Sequence, residues 1–145
     1  MKKGKQNCIF CKIIAGKAPA SMVYQDGLVV AFLTIEPIDL GHLLIVPKKH
    51  APGLKNLDEK SAGRMMTVAK KMASALRASK LRCEGVNLLL ADGKIAYQSV
   101  FHVHLHVVPR FKGDNFSAMM NGFATPPRAP RAELDAVAKE IKKHA

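Results

Sequence analysis

The chain has 145 residues, a length that fits one domain, and its 48% hydrophobic content is enough to build a core rather than leave it disordered. A formal charge of +12, from 23 Lys and Arg against 11 Asp and Glu, favours anionic partners. Much of that excess sits at the two termini, no aromatic platform interleaves the lysines and there is no Trp, which argues against nucleic acid as the main ligand.

In chain order, a basic N-terminus is followed by no apolar signal core, so a cytoplasmic protein is expected. Apolar stretches such as Leu43 to Val46 are too short to cross a bilayer. Cys8-Ile-Phe-Cys11 comes first. Two thiolates at this spacing are half of a tetrahedral zinc site. A redox dithiol is the rival reading, although no thioredoxin-like βαβ pattern surrounds the pair. Val23 to Phe32 reads as a hairpin about Asp26-Gly27. Leu43 to Val46 is a short buried strand stopped by Pro47, and His50, after Pro47-Lys48-Lys49, is a candidate third metal ligand.

Met65, Ala69, Met72 and Leu76 recur at helical spacing, which predicts an amphipathic helix over roughly Asp58 to Lys80. Val86 to Ala91 is a strand ended by Asp92-Gly93, and Cys83 before it is a small buried hydrophobe. Ser99 to Pro109 is the clearest strand. Thr125 to Pro130 is a stiff loop, and Leu134, Val137, Ala138 and Ile141 mark a short final helix. Strands joined by short turns around one long helix predict an α+β fold: an antiparallel sheet with helices packed on one face.

The segment Phe101-His102-Val103-His104-Leu105-His106-Val107-Val108 carries the chemistry. Alternation along a strand puts Phe101, Val103, Leu105 and Val107 on one face. His102, His104 and His106 take the other, about 6.8 Å apart at each step. Half of the six histidines fall within five residues. Two uses fit such a row. Neutral imidazole is a common metal ligand. It is also a nucleophile near neutral pH, able to split a displacement at phosphorus into two steps through a covalent intermediate. Three ligands to one ion is the weaker use, because the outer pair would lie about 13 Å apart.

Three segments together resemble the histidine-triad (HIT) family, in its Hint-like bacterial branch. They are Cys8-Ile-Phe-Cys-Lys-Ile-Ile-Ala-Gly-Lys-Ala-Pro19, Gly41-His-Leu-Leu-Ile-Val-Pro-Lys-Lys-His50 and Gln98-Ser-Val-Phe-His-Val-His-Leu-His-Val-Val-Pro109. The resemblance implies a single HIT domain over 1–145, with a core of about 7–111 and a C-terminal extension over 112–145. It implies a homodimer with sheets joined edge to edge. It implies an enzyme that hydrolyses or transfers nucleoside monophosphate groups, with a purine nucleotide as substrate.

Carried over by position, the resemblance makes His104 the nucleophile. His106 contacts the phosphate, and His42 supports the nucleophile's network. Gln98 and Ser99 stand where relatives bind phosphate or assist the leaving group. Cys8, Cys11, His50 and His102 are the implied ligands of a structural zinc. Two positions depart from the pattern. Thr34 stands where relatives often carry the Asp that holds the ribose hydroxyls. Ala91 stands where they often carry an Asn or Gln contacting the phosphate. These losses sustain an alternative reading, a nucleotide-binding or interaction module with little turnover. A phosphorylase or transferase, with another acceptor in place of water, is a further alternative.

Overall fold

Asp26 folds the first hairpin locally. Its Oδ1 accepts the N–H of Leu28 at 2.8 Å and of Val29 at 3.0 Å. The flanking strands are β1 (Met22–Gln25) and β2 (Val29–Leu33). β3 (Leu43–Pro47), β4 (Gly85–Leu90) and β5 (Leu105–Arg110) complete an antiparallel sheet ordered β1-β2-β3-β5-β4. Among the described residues it is accompanied by α1 (Ile9–Ile14), α2 (Glu59–Ala78), α3 (Phe116–Met120) and α4 (Arg131–Lys142). This computed structural model describes residues 5–120 and 126–145. The predicted loop from Thr125 to Pro130 therefore falls partly outside the described residues, and 126–130 carry no helix or strand.

β2 and β3 are buried along their whole length, so the sheet has a core on each face. Val29, Ala31, Leu33, Leu43, Ile45 and Val107 pack with Met65, Val68, Met72 and Leu76 of α2 and with Leu134 and Ile141 of α4. The alternate residues Val30, Phe32, Leu44 and Val46 pack with Cys8 and Phe10. Each fully buried aliphatic side chain contributes about 1.5–3 kcal/mol. The Arg64–Asp26 ion pair, 2.6 Å long but partly exposed, contributes little because solvent screens it. Apolar burial therefore fixes the hairpin against α2, and the ion pair refines it.

α2 begins where the sequence predicts. Asp58 is its N-cap and accepts the Ser61 N–H at 3.0 Å, satisfying one of the free donors of the first turn. α2 and α4 share one face of the sheet as expected. α1 packs on the opposite face, so the helices are not confined to one side. The C-terminal segment is no appendage either, since α4 buries Leu134, Val137, Ala138 and Ile141 in the main core.

The histidine strand is shorter than predicted. Ladder pairing begins only at Leu105, opposite Ile45 and Leu90. Before that, the N–H of Val103 bonds the carbonyl of Ala51 in a loop, at 2.8 Å, instead of a strand partner. Alternation still buries Val103 and Val107 in the main core, but Phe101 lies outside the ladder and is 52% exposed rather than sharing their face. No described helix is long and apolar enough to cross a membrane.

Candidate functional site

Gly41 sets the position of His42. Its φ is +102°, which disfavours any L side chain, and a Cβ there would lie 3.0 Å from Leu76 Cδ2 and 3.3 Å from Pro109 Cγ. His42 is the residue before β3 and is buried, at 5% exposure. Its Nδ1 accepts the backbone N–H of Ile38 at 3.1 Å, so its proton resides on Nε2. That Nε2–H donates to Nδ1 of His106 at 2.9 Å. The proton of His106 therefore resides on its own Nε2, which is left for the adjoining cleft.

His104 has the opposite arrangement. Its Nδ1 lies 2.8 Å from the carbonyl of His102, and a carbonyl only accepts, so Nδ1–H is the donor. The Nε2 of His104 consequently carries a free lone pair. Its ring lies 5.0 Å from that of His106 and 5.0 Å, edge on, from Phe10. Burial keeps these rings uncharged near neutrality. Desolvation, then the neighbouring imidazoles, pushes His42 down to about 3 and His106 down to about 4. Desolvation also lowers His104, partly opposed by its bond to the His102 carbonyl. One unprotonated nitrogen and one N–H donor thus stand side by side.

They face a cleft of about 390 Å³. Its apolar wall includes Ile9, Phe10, Ile13, Phe32 and Leu44, and His104, His106, Ser99 and Thr34 also line it. Thr34 Oγ1 accepts the Glu36 N–H at 3.3 Å, which leaves its hydroxyl proton available to a ligand. Gln98 is not brought to this cleft. Its Oε1 accepts from Gly93 N at 2.8 Å, and its Nε2 donates to the carbonyls of Pro52 at 2.7 Å and Val100 at 3.0 Å. The amide is spent on tying the loop before Ser99 to the loop after His50. Ala91 is also absent from the cleft wall.

His102 turns away from the cleft into a second cluster. The ligand atoms of Cys8, Cys11, His50 and His102 all lie within 4.8 Å of one another. His102 Nδ1 is 3.3 Å from Cys8 Sγ, 3.5 Å from Cys11 Sγ and 3.2 Å from His50 Nδ1. Cys11 Sγ is 3.2 Å from His50 Nδ1. Tetrahedral coordination by two sulfurs and two nitrogens requires edges of about 3.3–3.8 Å, close to these values. His102 Nε2 donates to the carbonyl of Pro47 at 2.8 Å, which leaves the Nδ1 lone pair aimed at the cluster.

Without a cation, Cys11 and His102 are held neutral. Burial and the adjacent Cys8 push the Cys11 thiol up to about 11, and burial, then His50, brings His102 down to about 4 despite its bond to Pro47. A dication would reverse that balance by taking the thiols as thiolates. α1 supplies the geometry: Cys8 is its N-cap, and the Cys11 N–H points at Cys8 Sγ, 3.4 Å away. The sequence reading missed this helix, because a cysteine cap on a six-residue helix gives no Ser, Asp or Pro signal. It also missed the apolar wall of the cleft, Phe10 included, and the charged residues Glu36 and Arg131 on it.

A sheet that carries paired histidines at one end of a nucleoside-sized cleft, with a Cys2His2 cluster behind them, is the architecture of a histidine-triad protein. The HIT domain family model matches residues 15–113, and the chain belongs to that family. It is 48% identical over 111 residues to a HIT-like protein of Borreliella burgdorferi, covering 76% of this chain and 80% of that one. It is 35% identical over 135 residues to the adenosine 5′-monophosphoramidase of Schizosaccharomyces pombe, covering 93% and 96%. Its fold matches the crystal structure of a Zn-bound histidine triad family protein from Mycobacterium smegmatis with a TM-score of 0.84 at 35% identity, covering 97% and 94%.

Proposed function

We propose that this protein is a nucleotide hydrolase or transferase that cleaves at the α-phosphorus of a nucleoside phosphoramidate or a dinucleoside polyphosphate through a nucleotidyl-His104 intermediate. The observation that carries the reading is the pair of opposite tautomers at the cleft: a free lone pair on His104 Nε2 beside an N–H on His106 Nε2. In the first step His104 Nε2 forms a bond to phosphorus as the P–N or P–O bond to the leaving group breaks. His106 donates to a phosphate oxygen as negative charge builds there. Ser99 can relay a proton from solvent to the departing amine, its own hydroxyl being reprotonated as it does so. Water then attacks phosphorus and releases the monophosphate and free His104. Phe10, Ile13, Phe32 and Leu44 supply the apolar bed for a purine, and Thr34 offers one hydrogen bond to the ribose. The relative from Schizosaccharomyces pombe, a monophosphoramidase, supports this chemistry.

The Cys8, Cys11, His50 and His102 cluster fits zinc by donor set and spacing, and a Zn-bound relative supports that identity. All four ligands would be protein side chains, so the role assigned to the metal is structural. It would hold the segment that carries His102 and His104 against α1 and the loop after Pro47. Three free cysteines, two of them in this cluster, suit a reducing cytoplasmic location.

A homodimer is the proposed assembly. β4 is an edge strand, and beside it Met66, Ala69, Ala73, Val86 and Leu88 line, together with Lys70 and Arg77, a groove between α2 and the sheet edge. Met66 is 60% exposed, and an unpaired strand edge next to such a surface favours pairing with a second copy. Incubation with adenosine 5′-phosphoramidate and with a dinucleoside tetraphosphate tests the enzymatic reading directly. Release of AMP supports it. Tight binding of AMP with no turnover of either compound would favour the binding-module reading, which the committed Gln98 amide keeps in view.

A further inference from the structure

One permanent cation stands on the wall of the cleft. Among the described residues lining it, Glu36 and Arg131 alone carry fixed charge, because the two imidazoles are neutral near pH 7. Glu36 is half exposed at the rim and lies 3.9 Å from Arg128.

Arg131 is the first residue of α4, and that helix is anchored by four buried side chains. Its Nη1 donates to Ser21 Oγ at 2.8 Å, and the same hydroxyl donates to Asp135 Oδ1 at 2.7 Å. Ser21 is 2% exposed. The serine separates the arginine from the aspartate, and among the described residues no carboxylate forms an ion pair with Arg131. A guanidinium has five N–H donors in a rigid fork. The relay uses one to fix its orientation and leaves charge and donors for a ligand.

Strand register shows how far this cation lies from the reacting end. Met22 pairs with Phe32, Phe32 with Leu44 and Leu44 with His106, a row straight across four strands. Three interstrand spacings put β1 about 14 Å from His106. Ser21, the anchor of Arg131, immediately precedes Met22, but its side chain lies on the α4 side of the sheet, so the guanidinium reaches the cleft at the β1 edge. A ligand with its phosphorus at His104 must run its nucleoside over Leu44 and Phe32 towards β1. The far edge of the base then meets the guanidinium.

We propose that Arg131 reads the edge of the base and selects a 6-oxopurine, guanine or hypoxanthine, over adenine. This rests on the nucleotide reading above and names the substrate within it. Guanine and hypoxanthine present O6 and N7, two adjacent acceptors that match two N–H groups of the fork. Adenine presents N7 beside the N6 amino group, which sets a donor against a donor.

The test measures kcat/KM for guanosine and adenosine 5′-phosphoramidates, and Kd for GMP and AMP by calorimetry. It uses the full chain as wild type, Arg131→Met and Arg131→Lys, with melting curves to confirm folding. Wild type should favour guanosine by about tenfold, at the lower end of what one bidentate base contact discriminates. Arg131→Met should bring the ratio close to one. Arg131→Lys, which keeps the charge without the fork, should fall between. A wild-type ratio of one, a preference for adenosine, or a ratio unchanged in both variants would overturn the assignment while leaving the nucleotide reading intact. Failure of the wild type to bind or cleave either nucleotide would overturn that reading and this one together.

Discussion

His42 Nε2 lies 2.9 Å from His106 Nδ1, and this contact decides which nitrogen of His106 carries a proton. The Ile38 amide fixes His42, His42 fixes His106, and His106 then presents an N–H to the cleft. His42→Phe retains a ring in the buried site but removes the donor. Turnover should fall at least about tenfold, less than the 10²–10³ that accompanies loss of an oxyanion donor itself, with little change in KM. A kcat within twofold of wild type would show that His106 does not need this orientation.

His104→Ala removes the attacking nitrogen and leaves both cysteines and the apolar bed in place. Turnover should drop by several orders of magnitude, roughly as when a covalent catalyst loses its nucleophile, while AMP binding stays within about tenfold. Mass spectrometry of wild-type reactions quenched in alkaline denaturant, which preserves the P–N bond, should place one nucleotidyl group on the peptide containing His104. Near-normal turnover in the variant would exclude the proposed intermediate.

Elemental analysis of gently purified protein should find about one zinc per chain. Cys8→Ser should lose it and melt at least about 6 °C lower, since only ~2 kcal/mol produces such a shift in a chain of this size. Stoichiometry well under one in the wild type would remove the zinc assignment.

Stability should depend on pH through the buried histidines. His42 and His106 titrate at about 3 and about 4 in the fold, mainly from desolvation, against the ordinary 6.5 in the unfolded chain. Below 6.5 the unfolded state binds more protons than the native state. Stability is therefore complete above about pH 6.5 and declines as pH falls towards 4, by up to about 1.4 kcal/mol per pH unit for each histidine. Denaturant melts at pH 7, 6 and 5 check the slope, and a flat profile would mean that these rings are not held neutral. The acidic limb of kcat/KM should likewise lie below 6.5, because His104 is lowered too.

Light scattering at micromolar concentration should show two copies per particle. Met66→Glu, combined with Leu88→Lys, places charge in the groove beside β4 and should give a monomer. A monomeric wild type would refute the assembly.

Much of this molecule is legible in the residues alone. The 3.6-residue spacing of Met65, Ala69, Met72 and Leu76 specifies α2, Asp58 marks its start, and Asp26-Gly27 marks the hairpin, because each signal is local. The histidine row and the Cys-x-x-Cys pair announce their chemistry by residue type. Tertiary structure decided where each histidine points. A loop carbonyl, Ala51 O, takes the Val103 N–H and keeps residues before Leu105 out of the ladder. His102 then turns to the cysteines while His104 and His106 face the cleft. The tautomers depend on Ile38, on His42 and on the His102 carbonyl, and of these contacts the one between His42 and His106 is distant in sequence. Arg131 reaches the cleft only because α4 packs its apolar stripe beside β1, more than a hundred residues from Ser21. Such long-range contacts form when apolar burial brings the segments together, and no sequence period encodes them.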